Sequence, residues 1–106
     1  MSRRDLPNLI ICGVPKGGTS SLFSYLATHK DICRSSVKET YYFMPMRWRD
    51  ESLKPIDHYK KHFKHCSEDA SIVMEATPGY FYGGKRLAEA IHENLGNIKL
   101  VISLRE

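Results

Sequence analysis

Apolar residues fall along the chain in short blocks of two kinds. Leu9-Ile10-Ile11-Cys12 is a continuous apolar run ending at Gly13, which reads as a buried strand. Leu22, Phe23 and Leu26 share one face of a helix predicted over Ser20–His29, with Thr19 or Ser20 as its N-cap. Tyr41 to Met44 is apolar until Pro45 interrupts, and Arg47 to Pro55 is polar and reads as a surface loop. Ile56, Tyr59 and Phe63 recur at helical spacing, which predicts a short amphipathic helix over Ile56–His65 with Lys60, Lys61 and Lys64 on its other face. Ser71 to Glu75 reads as a second buried strand, and Thr77-Pro78-Gly79 as a turn. Leu87, Ile91 and Leu95 predict a helix that Gly96 stops, and Ile98–Ile102 a third strand. Strands alternating with helices imply an α/β fold: a parallel sheet of at least three strands with flanking helices and right-handed crossovers.

A length of 106 residues bounds this to one domain at most. The third strand lies against the chain's last residues, Ser103 to Glu106, where ligand loops of a parallel sheet are housed. That predicts a fragment, with the sheet incomplete at its C-terminal side and an apolar edge left open. No apolar run approaches the roughly 18 residues of a membrane span. The net charge of +4 fits an anionic partner and fits plain solubility equally well. Cys12, Cys33 and Cys66 have no metal-type spacing. Cys33 and Cys66 are open to pairing in an oxidising compartment, but nothing in the sequence brings them together. His58 and His62 stand four apart, as two ligands on one helix face would, without an acidic partner at the usual spacing.

The chemistry begins at Gly13-Val14-Pro15-Lys16-Gly17-Gly18-Thr19-Ser20-Ser21-Leu22, between the first strand and the first helix. Backbone N–H groups converge at such a turn, and the helix dipole favours an anion there. Gly17 and Gly18 allow close approach, Lys16 adds a full positive charge, and Thr19 and Ser20 add hydroxyls. The loop is P-loop-type but differs from the triphosphate-binding pattern. Gly13 and Gly18 have its spacing, yet Thr19 stands where its lysine belongs, and the strands offer no aspartate for magnesium. The residues therefore favour a bound phosphate over a metal–triphosphate.

On these residues the chain resembles the sulfotransferases that use 3′-phosphoadenosine 5′-phosphosulfate (PAPS), of the carbohydrate, heparan sulfate-like type. Their phosphosulfate loop matches Pro15 to Leu22 throughout. Lys38-Glu39-Thr40-Tyr41-Tyr42-Phe43 is similar to their Lys-Glu-x-x-Phe-Phe segment. Glu75-Ala76-Thr77-Pro78-Gly79-Tyr80-Phe81 is similar to a Glu-Lys-Ser/Thr-Pro-x-Tyr-Phe segment, with Ala76 where some members carry an acceptor-site lysine. Lys99 to Glu106 is similar to the strand that leads into the 3′-phosphate site. The resemblance runs in order from Leu9 to the last residue, and implies that residues 1–106 are the N-terminal portion of a single sulfotransferase domain.

The resemblance implies sulfuryl transfer from PAPS to a hydroxyl or amine of a carbohydrate, without a metal and without nucleic acid as partner. The acceptor class includes acidic polysaccharides. Glu39 matches the general base, and Lys16 the group that stabilises the departing 5′-phosphate. Lys16, Gly17, Gly18, Thr19, Ser20 and Arg105 match the cofactor site, Arg105 through the 3′-phosphate. Lys38, Thr77 and Tyr80 are weaker candidates for lining the acceptor cleft. The compartment is cytoplasmic if the chain is complete at its start, and the Golgi membrane if it is a piece of a eukaryotic carbohydrate sulfotransferase. Two alternatives stay open: a truncated, non-catalytic nucleotide- or polyanion-binding form, and a P-loop kinase or NTPase.

Overall fold

The computed structural model describes residues 5–13, 19–47, 52–67 and 69–103. Four strands form one sheet: β1 (Leu9–Gly13), β2 (Ile32–Arg34), β3 (Ile72–Ala76) and β4 (Lys99–Ser103). Their order is β2-β3-β1-β4, and every pairing is parallel. The helices are α1 (Thr19–Ala27), α2 (Ile56–Lys60) and α3 (Gly84–Leu95), with two 3₁₀ turns at Met44–Arg47 and Pro78–Tyr82.

β1 is buried at all five positions because it lies inside the sheet, with β3 on one side and β4 on the other. Its alternate residues face opposite ways. Leu9 and Ile11 pack with Met74, Ala76 and Phe23 of α1. Ile10 and Cys12 pack with Val73, a group of buried aromatics, and Leu87, Ala90 and Ile91 of α3. The crossover after β1 therefore runs over one face and the crossover after β3 over the other. Their divergence opens a crevice at the carboxyl ends of β1 and β3, where parallel sheets bind ligands.

Leu22, Phe23 and Leu26 do face the sheet together. α3 ends as expected: Gly96 takes φ of 75°, and its N–H donates to the His92 carbonyl at 2.8 Å. Three expectations change. α1 already contains Thr19 and Ser20, so neither precedes it as an N-cap. α2 stops at Lys60, and residues 61–65 continue as turns. β2 escaped notice because three residues are too few for a period to register. As the expected open apolar edge would have it, β4 is an edge strand among the described residues, with Leu100 and Ile102 half-exposed. These two line an apolar groove of about 290 Å³ with Ile10, Cys12, Phe81 and Leu87.

Cys33 of β2 is disulfide-bonded to Cys66 beyond α2, with Cα atoms 5.8 Å apart. The bond ties the sheet edge to the aromatic cluster. Cys12 is a free, buried thiol, and burial pushes its pKa up. No helix among the described residues is long and apolar enough to cross a membrane.

Candidate active site

Three segments meet at the carboxyl edge of the sheet. β1 reaches that edge at Gly13. Thr19 and Ser20 open α1, so the helix begins six residues beyond the strand's last. Lys16, Gly17, Gly18 and Arg105 lie outside the described residues. The second segment is Lys38–Tyr41, which follows β2. The third is the end of β3 and the 3₁₀ turn after it.

Backbone bonds hold the segments together. The Ser35 N–H donates to the Met74 carbonyl at 2.9 Å, and the Ala76 N–H to the Lys38 carbonyl at 3.3 Å. The Thr77 N–H reaches across to the Ile11 carbonyl of β1 at 3.2 Å. Lys38 and Glu39 are thus placed beside the end of β3, one strand over from the end of β1. Their side chains are half-buried, with Lys38 Nζ 3.6 Å from Glu39 Oε2. Tyr41 has φ of 59°, a left-handed conformation that a bulky residue rarely adopts. The Glu39 carboxylate beside it, by hydrogen bonding and by its charge, pushes the Tyr41 pKa up. The backbone reversal turns an exposed aromatic onto the candidate base.

Under this segment lies a carboxylate that sequence reading left without a role. Glu75 is fully buried in β3, on the face that carries the aromatic cluster. Its Oε1 accepts hydrogen bonds from the Tyr59 hydroxyl at 2.6 Å and the Tyr80 hydroxyl at 3.0 Å. Its Oε2 accepts from Thr77 Oγ1 at 2.7 Å and Thr40 Oγ1 at 2.8 Å. An ionised carboxylate offers about four acceptor positions, and four hydroxyls fill them. Burial pushes the Glu75 pKa up, the four hydroxyls pull it partly back, and the net direction is upward. Burial, and then the nearby Glu75 charge, push the Tyr59 and Tyr80 phenols well above their ordinary value, so both remain donors.

This network takes up two residues expected at the acceptor cleft. Thr77 is fully buried and Tyr80 nearly so, with both hydroxyls bonded to Glu75. The Tyr80 ring also borders the apolar groove beside β4. A polar cleft lies on the other side of Thr40. It measures about 280 Å³ and is lined by Thr40, Tyr41, Lys54, His58, Lys61 and His62. His58 and His62 meet there, although the helix that was to carry both ends between them. Burial and the neighbouring Lys61 charge lower the His62 pKa. The metal-capable group of three found among the described residues is Cys33, His65 and Cys66 instead. Its two sulfurs are bonded to each other and present no thiolate.

The missed residues left different signals. A charge inside the apolar block Ile72–Ala76 is one that could have been read. Tyr59 passed as ordinary helix core, since a phenol and a phenyl fit the same period. The left-handed Tyr41 left no local signal.

Comparison with known proteins points one way. No protein-family model matches the chain. A membrane-associated sulfotransferase of Dictyostelium discoideum, kil1, is 34% identical over 103 residues, covering 95% of this chain and 21% of that protein. The human heparan sulfate glucosamine 3-O-sulfotransferase 5 is 35% identical over 104 residues, covering 97% of this chain and 28% of that protein. The crystal structure of a sulfotransferase from Alicyclobacillus acidocaldarius superimposes with a TM-score of 0.77 at 28% identity, over 91% of this chain and 43% of that one. The chain thus spans between 21% and 28% of the length of these curated relatives.

Proposed function

Because the chain belongs to the sulfotransferases, we propose that it forms the donor-binding and base-bearing part of an enzyme transferring a sulfuryl group from PAPS to a carbohydrate. The observation that carries this reading is the placement of Glu39. It is half-buried beside the end of β3, one strand from the end of β1, and lies next to Tyr41, which lines the polar cleft.

The donor fits the local architecture. A central parallel strand ends in Gly13 at the crevice, and a nine-residue helix starts six positions on, so its first N–H groups face that crevice. Bound PAPS would supply an activated sulfuryl group on a phosphate leaving group. Lys16 and the loop amides would bind the 5′-phosphate and offset the charge that develops on it. Arg105, a planar and permanently charged fork, would bind the 3′-phosphate. Glu39 would take the proton of the acceptor hydroxyl. Lys38 Nζ lies 3.6 Å from its carboxylate, and the Tyr41 phenol feels the carboxylate charge.

The cleft supports an acidic acceptor. Lys54, His58, Lys61 and His62 line the space next to Tyr41, where sulfate or carboxylate groups of a polysaccharide would meet basic side chains. The Cys33–Cys66 disulfide supports an oxidising compartment, such as the Golgi lumen.

The test is Glu39→Gln in the full protein, assayed with PAPS and heparan sulfate. Turnover should fall at least about 10²-fold, with affinity for desulfated cofactor within about twofold of wild type. Unchanged turnover would remove Glu39 as the base.

A further inference from the structure

We propose that Glu75 is a positioning residue for sulfuryl transfer, holding Glu39 against the phosphate-loop strand through Thr40. The proposal rests on Glu39 being the base. Glu75 is fully buried and touches no open space, so it cannot meet donor or acceptor itself. It acts on the residue next to Glu39.

Glu39 is bracketed by the end of β3. The residue before it, Lys38, accepts at its carbonyl from the Ala76 N–H at 3.3 Å. The residue after it, Thr40, donates its hydroxyl to Glu75 Oε2 at 2.8 Å and points its N–H at the same oxygen at 3.4 Å. Two consecutive residues of one strand therefore hold both neighbours of the candidate base. The same strand end is tied to β1 by Thr77 N–H to the Ile11 carbonyl. Glu39 is thereby located relative to the strand that carries the glycine loop, which is the relation in-line transfer depends on.

The chemistry at position 75 matches this task. Thr40, Tyr59, Thr77 and Tyr80 come from three separate parts of the chain, and all four hydroxyls point at one side chain. A neutral amide brings two donors of its own and cannot accept from all four. Burying a carboxylate is expensive for a fold that needs only packing here. The bond to Thr40 differs from the other three in reaching a segment that is only half-buried and borders the cleft.

The experiment compares bonds to the same carboxylate, in the full protein with PAPS and heparan sulfate. Thr40→Val should lower kcat by about 10- to 100-fold with the KM for PAPS within about twofold. Thr40→Ser keeps the hydroxyl and should stay within about threefold of wild type. Tyr59→Phe cuts a bond at least as short, from the α2 side, and should lower Tm at least as much as Thr40→Val while kcat stays within about threefold. If Thr40→Val does not fold, Thr40→Ala is read against the same thresholds. Losses of kcat that simply follow losses of Tm across these variants would make Glu75 a staple of the fold and overturn the proposal. Glu39→Gln, run alongside, separates the two readings. If it keeps turnover, the base assignment falls and the proposal with it. If it loses turnover while Thr40→Val is unaffected, the positioning role alone falls.

Discussion

Met74 and Glu75 are adjacent in β3, are both fully buried, and face opposite sides of the sheet. Met74 enters a small layer, aliphatic but for one ring, with Leu9, Ile11, Ala76 and Phe23. Glu75 enters a layer of rings. Tyr59 stacks on Tyr42 at 4.5 Å and meets Phe63 edge-on at 5.2 Å, and Phe43 packs edge-on against Tyr80 at 5.8 Å. Rings with hydroxyls can do what aliphatic side chains cannot: bury apolar area and direct donors at one point. The aliphatic face makes the sheet. The aromatic face makes the sheet and also sets the position of the loop that carries Glu39.

The largest expected effect tests how far the aromatic face depends on its covalent tie. Cys33 and Cys66 are 33 residues apart in sequence, so their bond removes considerable freedom from the unfolded chain. Chain-entropy reasoning puts its contribution at about 3–4 kcal/mol. Replacing both cysteines with serine should lower the unfolding free energy by roughly that amount, measured by denaturant melts against the oxidised protein. A loss below about 1 kcal/mol would mean that aromatic packing holds the face without the tie.

The comparison sharpens when each face receives its mildest substitution. Met74→Leu keeps volume and polarity and should cost less than about 1.5 kcal/mol. Glu75→Gln is equally conservative in shape, yet its amide turns donors toward hydroxyls that already donate. It should cost roughly 2–4 kcal/mol, with the aromatic cluster loosened. Equal costs in chemical denaturation would erase the difference between the faces.

The same contrast explains what was legible in the sequence. The aliphatic face and α3 could be read because period alone specifies them: Leu9 and Ile11 alternate with Ile10, and Leu87, Ile91 and Leu95 repeat at four. The glycine-rich turn could be singled out because its candidate chemistry is local, from Gly13 to Leu22, though residues 14–18 lie outside the described ones. The network around Glu75 could not. Thr40 is 35 residues from Glu75 and Tyr59 is 16, and no periodicity links a threonine in one loop to a carboxylate in a later strand. Thr77 and Tyr80 were noticed for their motif but not for their bonds to Glu75, since a hydroxyl in a motif looks the same whether it faces substrate or core. The run Leu100-Val101-Ile102 of β4 could be read as a strand, but whether both its faces are covered depends on neighbours that the run does not specify.

The smallest effect concerns the protonation of Glu75, where two opposed forces decide a sign. Burial raises its pKa and four hydroxyl donors lower it, with burial prevailing. A carboxyl whose folded pKa lies above its unfolded value binds its proton more tightly in the folded protein. Stability contributed by this group is then greatest in acid, and declines as pH rises from the ordinary carboxylate range through the raised folded value. Glu75→Gln has no such proton to lose. Its stability deficit relative to wild type should therefore be widest at acid pH and narrow as pH increases through that window. Other titrating groups are shared by both proteins, so they cancel in the difference. Paired thermal melts across the mildly acidic range measure it directly. A deficit that widens with pH instead would mean that the hydroxyls outweigh burial and fold the carboxylate in its charged form. The aromatic face would then be stabilised by the charge at its centre, where the upward shift says that it tolerates one at a cost.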